Sequence, residues 1–152
     1  MTRIALDLGT TTGWAIMLDG QITSGTWQMK SKRHEGGGMR YVRFRNMLAE
    51  LIAELAVDGP PCVYYEEVKR HRGTTASHVY GGFQATLTAY CDEHAIPYES
   101  VPVGTIKKFA CGSGNANKAD MMKAAKDAGF APCDDNEADA IHLLRYVLSE
   151  KF

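Results

Sequence analysis

The sequence predicts an α/β domain in which a mixed central sheet, with its first three strands antiparallel, is flanked by helices. Three observations support this fold class. The first 29 residues contain three strand-like segments that are joined by tight turns. The later segments alternate between short apolar runs and stretches in which apolar residues have helical spacing. The length of 152 residues, of which 45% are hydrophobic and 23% charged, is typical of one domain spanning 1–152.

The strands are predicted from apolar runs and from the turns between them. A Gly-Thr-Thr-Thr turn separates the first two strands, and Asp19-Gly20 forms a two-residue hairpin turn before the third. The fourth strand is rich in Val and Tyr, which favour sheets. The five predicted strands cover residues 3–8, 13–18, 21–29, 62–68 and 97–101.

The helices are predicted from apolar spacing and from capping residues. The first helix follows a flexible basic loop that contains three consecutive glycines. Ser77 and Asn117 are predicted N-caps, and Gly129 is predicted to end the helix that Asn117 begins. The predicted helices lie between the loop at 30–38 and Asp58, then over 77–94, 103–110, 117–128 and from Asp134 or Asp135 to about 148.

Composition excludes several classes of protein. No apolar run approaches the roughly 20 residues that a membrane-spanning helix needs. Asp7 interrupts the apolar N-terminal segment, which is not typical of a signal peptide. The cysteines contain no CxxC pair, so a structural zinc site is not expected, and scattered thiols are typical of the reducing cytoplasm. They are Cys62, Cys91, Cys111 and Cys133.

The charge is unevenly distributed along the chain. A formal net charge of −1 argues against a nucleic-acid partner only until the charges are counted by segment. Residues 30–45 carry a net +5, residues 69–72 carry three bases and no acid, and residues 107–126 carry a net +4. Residues 127–146 carry a net −4. Solvated charged faces are one interpretation, and a protein that binds phosphate and metal ions is the other.

Three acidic positions are expected to lie close together in the fold. Asp7 ends the first strand, and Glu66 and Glu67 end the fourth. Since successive strand residues point to opposite faces, only one of the two glutamates can face Asp7. Asp135 and Asp139 are four residues apart on the last helix and can point the same way.

These acids predict a metal site, with one simpler interpretation for each element. Carboxylates converging on one sheet edge would hold two Mg²⁺ ions, with Mn²⁺ as a substitute, because oxygen ligands favour these ions over zinc. Such ions can activate water and stabilise the leaving oxygen of a phosphodiester. Alternatively, Asp7 caps the following turn, the two glutamates form a charged strand edge, and Asp135 complements the helix dipole.

Together these motifs resemble the RuvC family of Holliday-junction resolvases, within the RNase H-like superfamily, and especially its small phage-encoded branch. The resemblance covers nearly the whole chain. The matching elements are Asp7 with Gly13 after it, Glu66 in Tyr65-Glu66-Glu67-Val68, Glu137-Ala138-Asp139-Ala140, and Lys107 and Lys118 on either side of a Gly-Ser-Gly loop.

The resemblance implies an RNase H-like fold and a homodimer that nicks two opposed strands of a four-way DNA junction. It also implies that Asp7, Glu66 and Asp139 are metal ligands, together with a fourth acid on the last helix. The family commonly places that acid where this chain has Asn136. Asp135 is the preferred substitute, and Glu137 is the less favoured one because residues two apart on a helix do not face together. If the chain is phage-encoded, the host cytoplasm is the expected location.

Basic residues are expected to contact the DNA. Lys107 and Lys118 resemble the family's phosphate-contacting lysines, and Lys118 is also expected to stabilise charge near the scissile phosphate. The family can place an aromatic residue shortly after the catalytic glutamate, whereas this chain has a basic run there, which favours phosphate or groove contacts. The predicted DNA contacts are Lys30, Lys32, Arg33, Arg40, Lys69, Arg70, Arg72, Lys107 and Lys118.

Other functions compete with this interpretation. A related RNase H-like nuclease acting on RNA, such as a YqgF-like enzyme, would use the same acids. The segment from Asp7 to Thr12 also resembles the first phosphate-binding turn of actin and Hsp70-like ATPases, although 152 residues leave no room for their second domain. A junction-binding module without catalysis is disfavoured by the complete set of acids.

Overall fold

The protein, described over residues 1–150 by a computed structural model, is built on one five-stranded sheet. The strands are β1 (Arg3–Asp7), β2 (Thr11–Leu18), β3 (Gln21–Gln28), β4 (Cys62–Glu67) and β5 (Tyr98–Pro102). Their order in the sheet is β3-β2-β1-β4-β5. The β1–β2 and β2–β3 pairs are antiparallel, whereas β4 is parallel to both β1 and β5. The predicted α/β class, with a mixed sheet whose first three strands are antiparallel, is confirmed.

Helices connect the later strands and cover both faces of the sheet. They are α1 (Met39–Leu55), which continues into a 3₁₀ turn (Ala56–Asp58), α2 (Thr74–Glu93), α3 (Val103–Cys111), α4 (Lys118–Asp127) and α5 (Asp135–Glu150). Within residues 1–150, none of these helices is both long enough and apolar enough to cross a membrane. The four cysteines are free thiols.

Alternation along the strands produces a separate core on each face of the sheet. Ile4 and Leu6 of β1 point toward α1 and α2, whereas Ala5 points toward α3, α4 and α5. In β4, Val63 and Tyr65 lie in the first core, and Tyr64 lies in the second. By the same alternation, Asp7 and Glu66 belong to the face that α5 covers, which is the basis of the site described below.

Two elements begin two or more residues earlier than predicted, and most other boundaries shift by about one residue. The second helix does not begin at Ser77 but at Thr74, and its N-cap is Gly73, with no side-chain cap. Gly73 has a φ of 92°, a value that glycine adopts without steric cost, so the chain turns into the helix before Ser77. Strand β2 begins at Thr11, two residues early, because the predicted turn is tighter: the Thr12 hydroxyl donates to the Gly9 carbonyl at 2.7 Å.

The predicted cap of α4 is confirmed in detail. The Asn117 side chain accepts a hydrogen bond from the backbone N–H of Asp120 at 2.8 Å. In return, the Asp120 carboxylate accepts from the backbone N–H of Asn117 at 3.0 Å, which completes a capping box. Gly129 follows the helix with a φ of 94°, as expected of a residue that ends one.

Candidate metal centre and DNA-facing surface

Three elements bring three carboxylates together at the edge of the sheet where β1 and β4 end. Asp7 is the last residue of β1, Glu66 lies near the end of the parallel neighbour β4, and Asp139 lies early in α5. Oxygen atoms from each of the three side chains lie within 4.8 Å of one another. Because Leu6 pairs with Tyr65 in the sheet, the next residues along both strands, Asp7 and Glu66, are also neighbours.

A glycine allows α5 to approach the sheet closely beside this cluster. Gly13 of β2 is the antiparallel partner of Asp7. A Cβ atom at Gly13 would lie 2.0 Å from the carbonyl oxygen of Asn136, which is the second residue of α5. Only a residue without a side chain therefore lets the first turn of α5 rest on β2, and this contact brings Asp139 over the end of β1.

The end of β4 is held by a tyrosine from α2. The Tyr80 hydroxyl donates to the carbonyl oxygen of Glu66 at 2.8 Å and accepts from the backbone N–H of Val68 at 3.2 Å. Burial raises the pKa of Tyr80 to about 12, so the hydroxyl stays protonated and keeps both roles. Glu66 itself is only 6% exposed, which fixes its side chain within the cluster.

The cluster carries more negative charge than its surroundings stabilise. Burial raises the pKa of Asp7 well above its ordinary value, and the charges of Glu66 and Asp139 raise it further. Burial, followed by the charges of Glu66 and Asp135, raises the pKa of Asp139 to about 8. Burial also raises the pKa of Glu66, although a hydrogen bond with Asp7 and the nearby charge of Lys107 lower it in part. Protons or cations are needed to hold three such carboxylates together.

The donor set fits divalent cations that prefer oxygen. Within residues 1–150, no lysine or arginine forms a salt bridge with Asp7, Glu66 or Asp139. The three side chains offer only carboxylate oxygens, which are the ligands that Mg²⁺ and Mn²⁺ favour. A bound divalent cation would offset the cost of burying these carboxylates and the repulsion between the charges of Asp7 and Asp139 and their acidic neighbours.

Asp135 lies beside the cluster and not within it. Its carboxylate is 3.5 Å from the Nζ atom of Lys118, and its side chain is 29% exposed. Its charge still contributes to the raised pKa values of Asp7 and Asp139. The structure therefore places the preferred fourth acid close enough to act electrostatically, with Lys118 at its outer side.

Glu137, the less favoured alternative for the fourth acid, points away from the cluster. Its Oε1 atom accepts from the Ser24 hydroxyl at 2.8 Å, and its Oε2 atom accepts from the backbone N–H of Cys133 at 2.8 Å. Burial disfavours ionisation of Glu137, but the hydrogen bonds from Cys133 and Ser24 outweigh it and lower the pKa. Both oxygens of Glu137 are thus engaged on the opposite side of the helix.

Sequence reasoning missed Ser24, although a signal was present. Ser24 pairs with Ala15 across the β2–β3 ladder, and Ala15 lies in the core under α5. A hydroxyl opposite a buried alanine needs a hydrogen-bond partner from the element above it. That argument points to an acceptor on the last helix, which is where Glu137 lies.

The predicted DNA-contacting residues surround the same edge of the sheet. The backbone N–H of Met29 donates to the Thr10 carbonyl at 2.7 Å, so the basic loop 30–38 begins at the edge where β1 ends. The basic segment 69–72 follows β4 directly. Lys107 and Lys118 lie close enough to Asp139 for their charges to offset part of the rise in its pKa. Arg40 and Lys107 are partly buried, and the exposed residues are Lys30, Lys32, Arg33, Lys69, Arg70, Arg72 and Lys118.

Hydrogen-bond donors near the start of α1 lack partners among residues 1–150. They are the Ser31 hydroxyl, the Nε atom of Arg40 and the Nη1 atom of Arg43. Arg43 also forms an ion pair with Glu35, which holds the basic loop against α1. These donors are buried, so phosphate oxygens do not reach them in this conformation, and the exposed residues of the segment are the ones that can contact DNA.

A curated relative and two of the matching solved structures show what the chain is similar to. No family model matches the chain. The crossover junction endodeoxyribonuclease RuvC of Halorhodospira halophila (strain DSM 244 / SL1) is 32% identical over 150 residues, which cover 93% of this chain and 86% of that protein. A Thermus thermophilus RuvC structure has a TM-score of 0.70 and 19% identity. The same protein in complex with a Holliday junction substrate has a TM-score of 0.75 and 18% identity. Each structure matches over 94% of this chain and 90% of its own, and supports the shared fold.

Proposed function

The chain belongs to the RuvC family of crossover junction endodeoxyribonucleases, and from this premise we propose that it resolves four-way DNA junctions at the Asp7–Glu66–Asp139 cluster. The observation that carries the proposal is the meeting of these three carboxylates within 4.8 Å at a sheet edge bordered by basic segments. Family membership also removes the alternative of an actin or Hsp70-like ATPase domain.

The cluster is proposed to hold Mg²⁺, with Mn²⁺ as a substitute. Asp7, Glu66 and Asp139 would be the ligands, and Asp135 the fourth acid. Divalent ions at such a site supply activation of a water molecule and stabilisation of the leaving oxygen of a phosphodiester. The contribution of the chain is to hold its carboxylates together against their repulsion, which leaves them poised to bind cations.

Two lysines are proposed to orient the scissile phosphate. Lys107 lies near Glu66 and Asp139, and its positive charge offsets part of the rise in the pKa of both acids. Lys118 is 85% exposed, and its ammonium lies 3.5 Å from Asp135, so it can reach a phosphate at the rim while staying beside the cluster. A positive charge held there stabilises the negative charge that develops on the phosphate oxygens during cleavage.

The remaining basic residues are proposed to bind the arms of the junction. Lys30, Lys32, Arg33 and Arg40 come from the loop and the start of α1, and Lys69, Arg70 and Arg72 follow β4. Both segments leave the sheet at the edge that carries Asp7. Contacts to phosphate do not read sequence, so they suit recognition of a branched shape.

We propose a homodimer, because paired nicking of opposed strands needs two sites related by symmetry. The exposed apolar residues Met39 and Val42 of α1 offer surface for such contact.

Three further proposals concern the whole chain. A single domain over 1–152 is supported by the one sheet with a core on each face. The reduced cysteines are compatible with the cytoplasm, which is the proposed location. The phage-encoded branch is proposed from the motif resemblance, with the host cytoplasm as the corresponding compartment.

A cleavage assay with branched DNA tests the proposed function. The wild type with Mg²⁺ should nick a synthetic four-way junction at paired positions and leave a linear duplex of the same sequence largely uncut. Asp7→Asn should bind the junction and not cut it, whereas Glu67→Gln, outside the cluster, should cut normally. Absence of cleavage of any branched DNA with Mg²⁺ or Mn²⁺ would refute the proposal, and preferred cleavage of RNA would favour a YqgF-like activity.

Light scattering after gel filtration tests the homodimer. A dimer at micromolar concentration is expected, in agreement with paired nicking. A monomer at that concentration, in the presence of junction DNA, would contradict the homodimer and leave the metal centre unaffected.

A further inference from the structure

We propose that Glu137 is a positioning residue: by binding Ser24 it holds the first turn of α5 against β3 and thereby sets the affinity of the carboxylate cluster for divalent cations. The proposal rests on the proposed metal-binding function of Asp7, Glu66 and Asp139.

The contacts of Glu137 join the start of α5 to two other parts of the chain. Its Oε1 atom accepts from the Ser24 hydroxyl at 2.8 Å, across 113 residues of sequence. Its Oε2 atom accepts from the backbone N–H of Cys133 at 2.8 Å, and its own backbone N–H donates to Asp134 at 2.9 Å. With 8% exposure, the side chain is fixed between the helix and the sheet.

Glu137 and Asp139 lie on opposite sides of the same helical turn. Two residues apart on an α-helix, their side chains point about 200° apart. The turn is therefore anchored on one side to Ser24 of β3 and offers Asp139 on the other side to Asp7 and Glu66. A small rotation or lift of this turn changes the separation of the three carboxylates directly.

The first turn of α5 comes closer to the sheet than a side chain at position 13 would allow. Gly13 removes the steric barrier to close approach of Asn136, but supplies no attraction of its own. The hydrogen bond from Ser24 supplies a directional attraction at this point, from the middle of the β2–β3 ladder.

Variants at both ends of the hydrogen bond test the proposal. Glu137→Ala and Ser24→Ala should each raise the Kd for Mn²⁺, measured by titration calorimetry or by the spin-resonance signal of free Mn²⁺, by roughly tenfold. Ser24→Thr keeps the hydroxyl and should bind Mn²⁺ as the wild type does. Glu54→Gln, exposed on α1, is the control for loss of one negative charge. Junction binding without metal should stay within twofold of the wild type for every variant.

The outcomes separate positioning from simple stabilisation. Thermal unfolding reports any general loss of stability, which is not by itself expected to change the Kd for Mn²⁺ of the folded fraction. If Glu137→Ala and Ser24→Ala lower the Tm and leave that Kd within twofold, the positioning role is wrong. If Glu137→Ala fails to fold, the comparison of Ser24→Ala with Ser24→Thr decides. A wild type that binds no Mn²⁺ would instead overturn the metal centre itself, and the proposal with it.

Discussion

Substitution of Gly13 by alanine should damage both the stability and the metal centre. The new Cβ would lie 2.0 Å from the carbonyl oxygen of Asn136 and 2.4 Å from its carbonyl carbon. Both are backbone atoms of α5, so no side chain can rotate to make room. Contacts of real Cβ atoms stay beyond 3.0 Å, so the first turn of α5 must move away from β2 by about 1 Å.

The size of the effect follows from this displacement. Overpacking of a core typically costs about 1–3 kcal/mol. Because the new contact at Gly13 is with backbone atoms, we expect the free energy of unfolding to fall by about 3 kcal/mol. A misplacement of about 1 Å in a catalytic group can lower the rate about 100-fold. Since Asp139 is carried by the displaced turn, junction cleavage should fall by that order.

Chemical denaturation and a junction-cleavage assay measure the two effects. Gly81→Ala is the matched control, because a Cβ at Gly81 meets no atom within 4 Å. Gly81 lies inside α2, so this control should gain up to about 1 kcal/mol. If Gly13→Ala unfolds at the wild-type denaturant concentration and cleaves at the wild-type rate, then α5 does not rest on β2 as described.

The free energy of unfolding without metal should fall as the pH rises between 3.8 and about 8. Burial and neighbouring acids raise the pKa of Asp139 from 3.8 to about 8, so in this range the folded chain binds more protons than the unfolded chain. Denaturation in EDTA at both ends of this range tests it, and equal stability would contradict it. Lys69→Ala and Arg70→Ala should each reduce the salt dependence of junction binding by about 0.9 in the slope of log K, measured by anisotropy; unchanged slopes would count against phosphate contacts. Asn117→Ala should cost about 1 kcal/mol in denaturation and Asn117→Ser little, since serine can accept the same hydrogen bond; equal losses would exclude the cap.

The facing of the acids was predictable in part, because strand alternation and helix periodicity are local rules. Alternation predicts that only one of Glu66 and Glu67 faces Asp7, and the family resemblance favours Glu66. The pairing of Leu6 with Tyr65 puts Glu66 on the face of Asp7. Asn117 was predictable for the same reason, since a cap needs only its own helix. Each of these features depends on a short stretch of sequence.

The contacts that fix the rotation of α5 about its axis were not predictable, because they join distant segments. Helix periodicity favours Asp135 over Glu137 as the neighbour of Asp139, and the backbone contact at Gly13 and the hydrogen bond from Ser24 hold the helix in that rotation. Gly13 and Ser24 lie more than 100 residues before the helix, and neither lies in a sequence motif from which its contact with the helix could be identified.

The carboxylate cluster and the basic segments together determine the order in which DNA and divalent cations bind. A phosphate charge about 4 Å from one carboxylate charge is repelled by about 4 kcal/mol at a protein surface, and three carboxylates meet here. The basic segments can therefore bind the junction arms without metal, but a scissile phosphate is repelled by whichever of Asp7, Glu66 and Asp139 are ionised, until cations or protons neutralise them. It follows that Asp7→Asn, which removes one ionisable carboxyl from the cluster, should bind the junction in EDTA at least as tightly as the wild type, as measured by anisotropy. Weaker binding by this variant would mean that the carboxylates attract the DNA through a retained cation, and the order proposed here would be reversed.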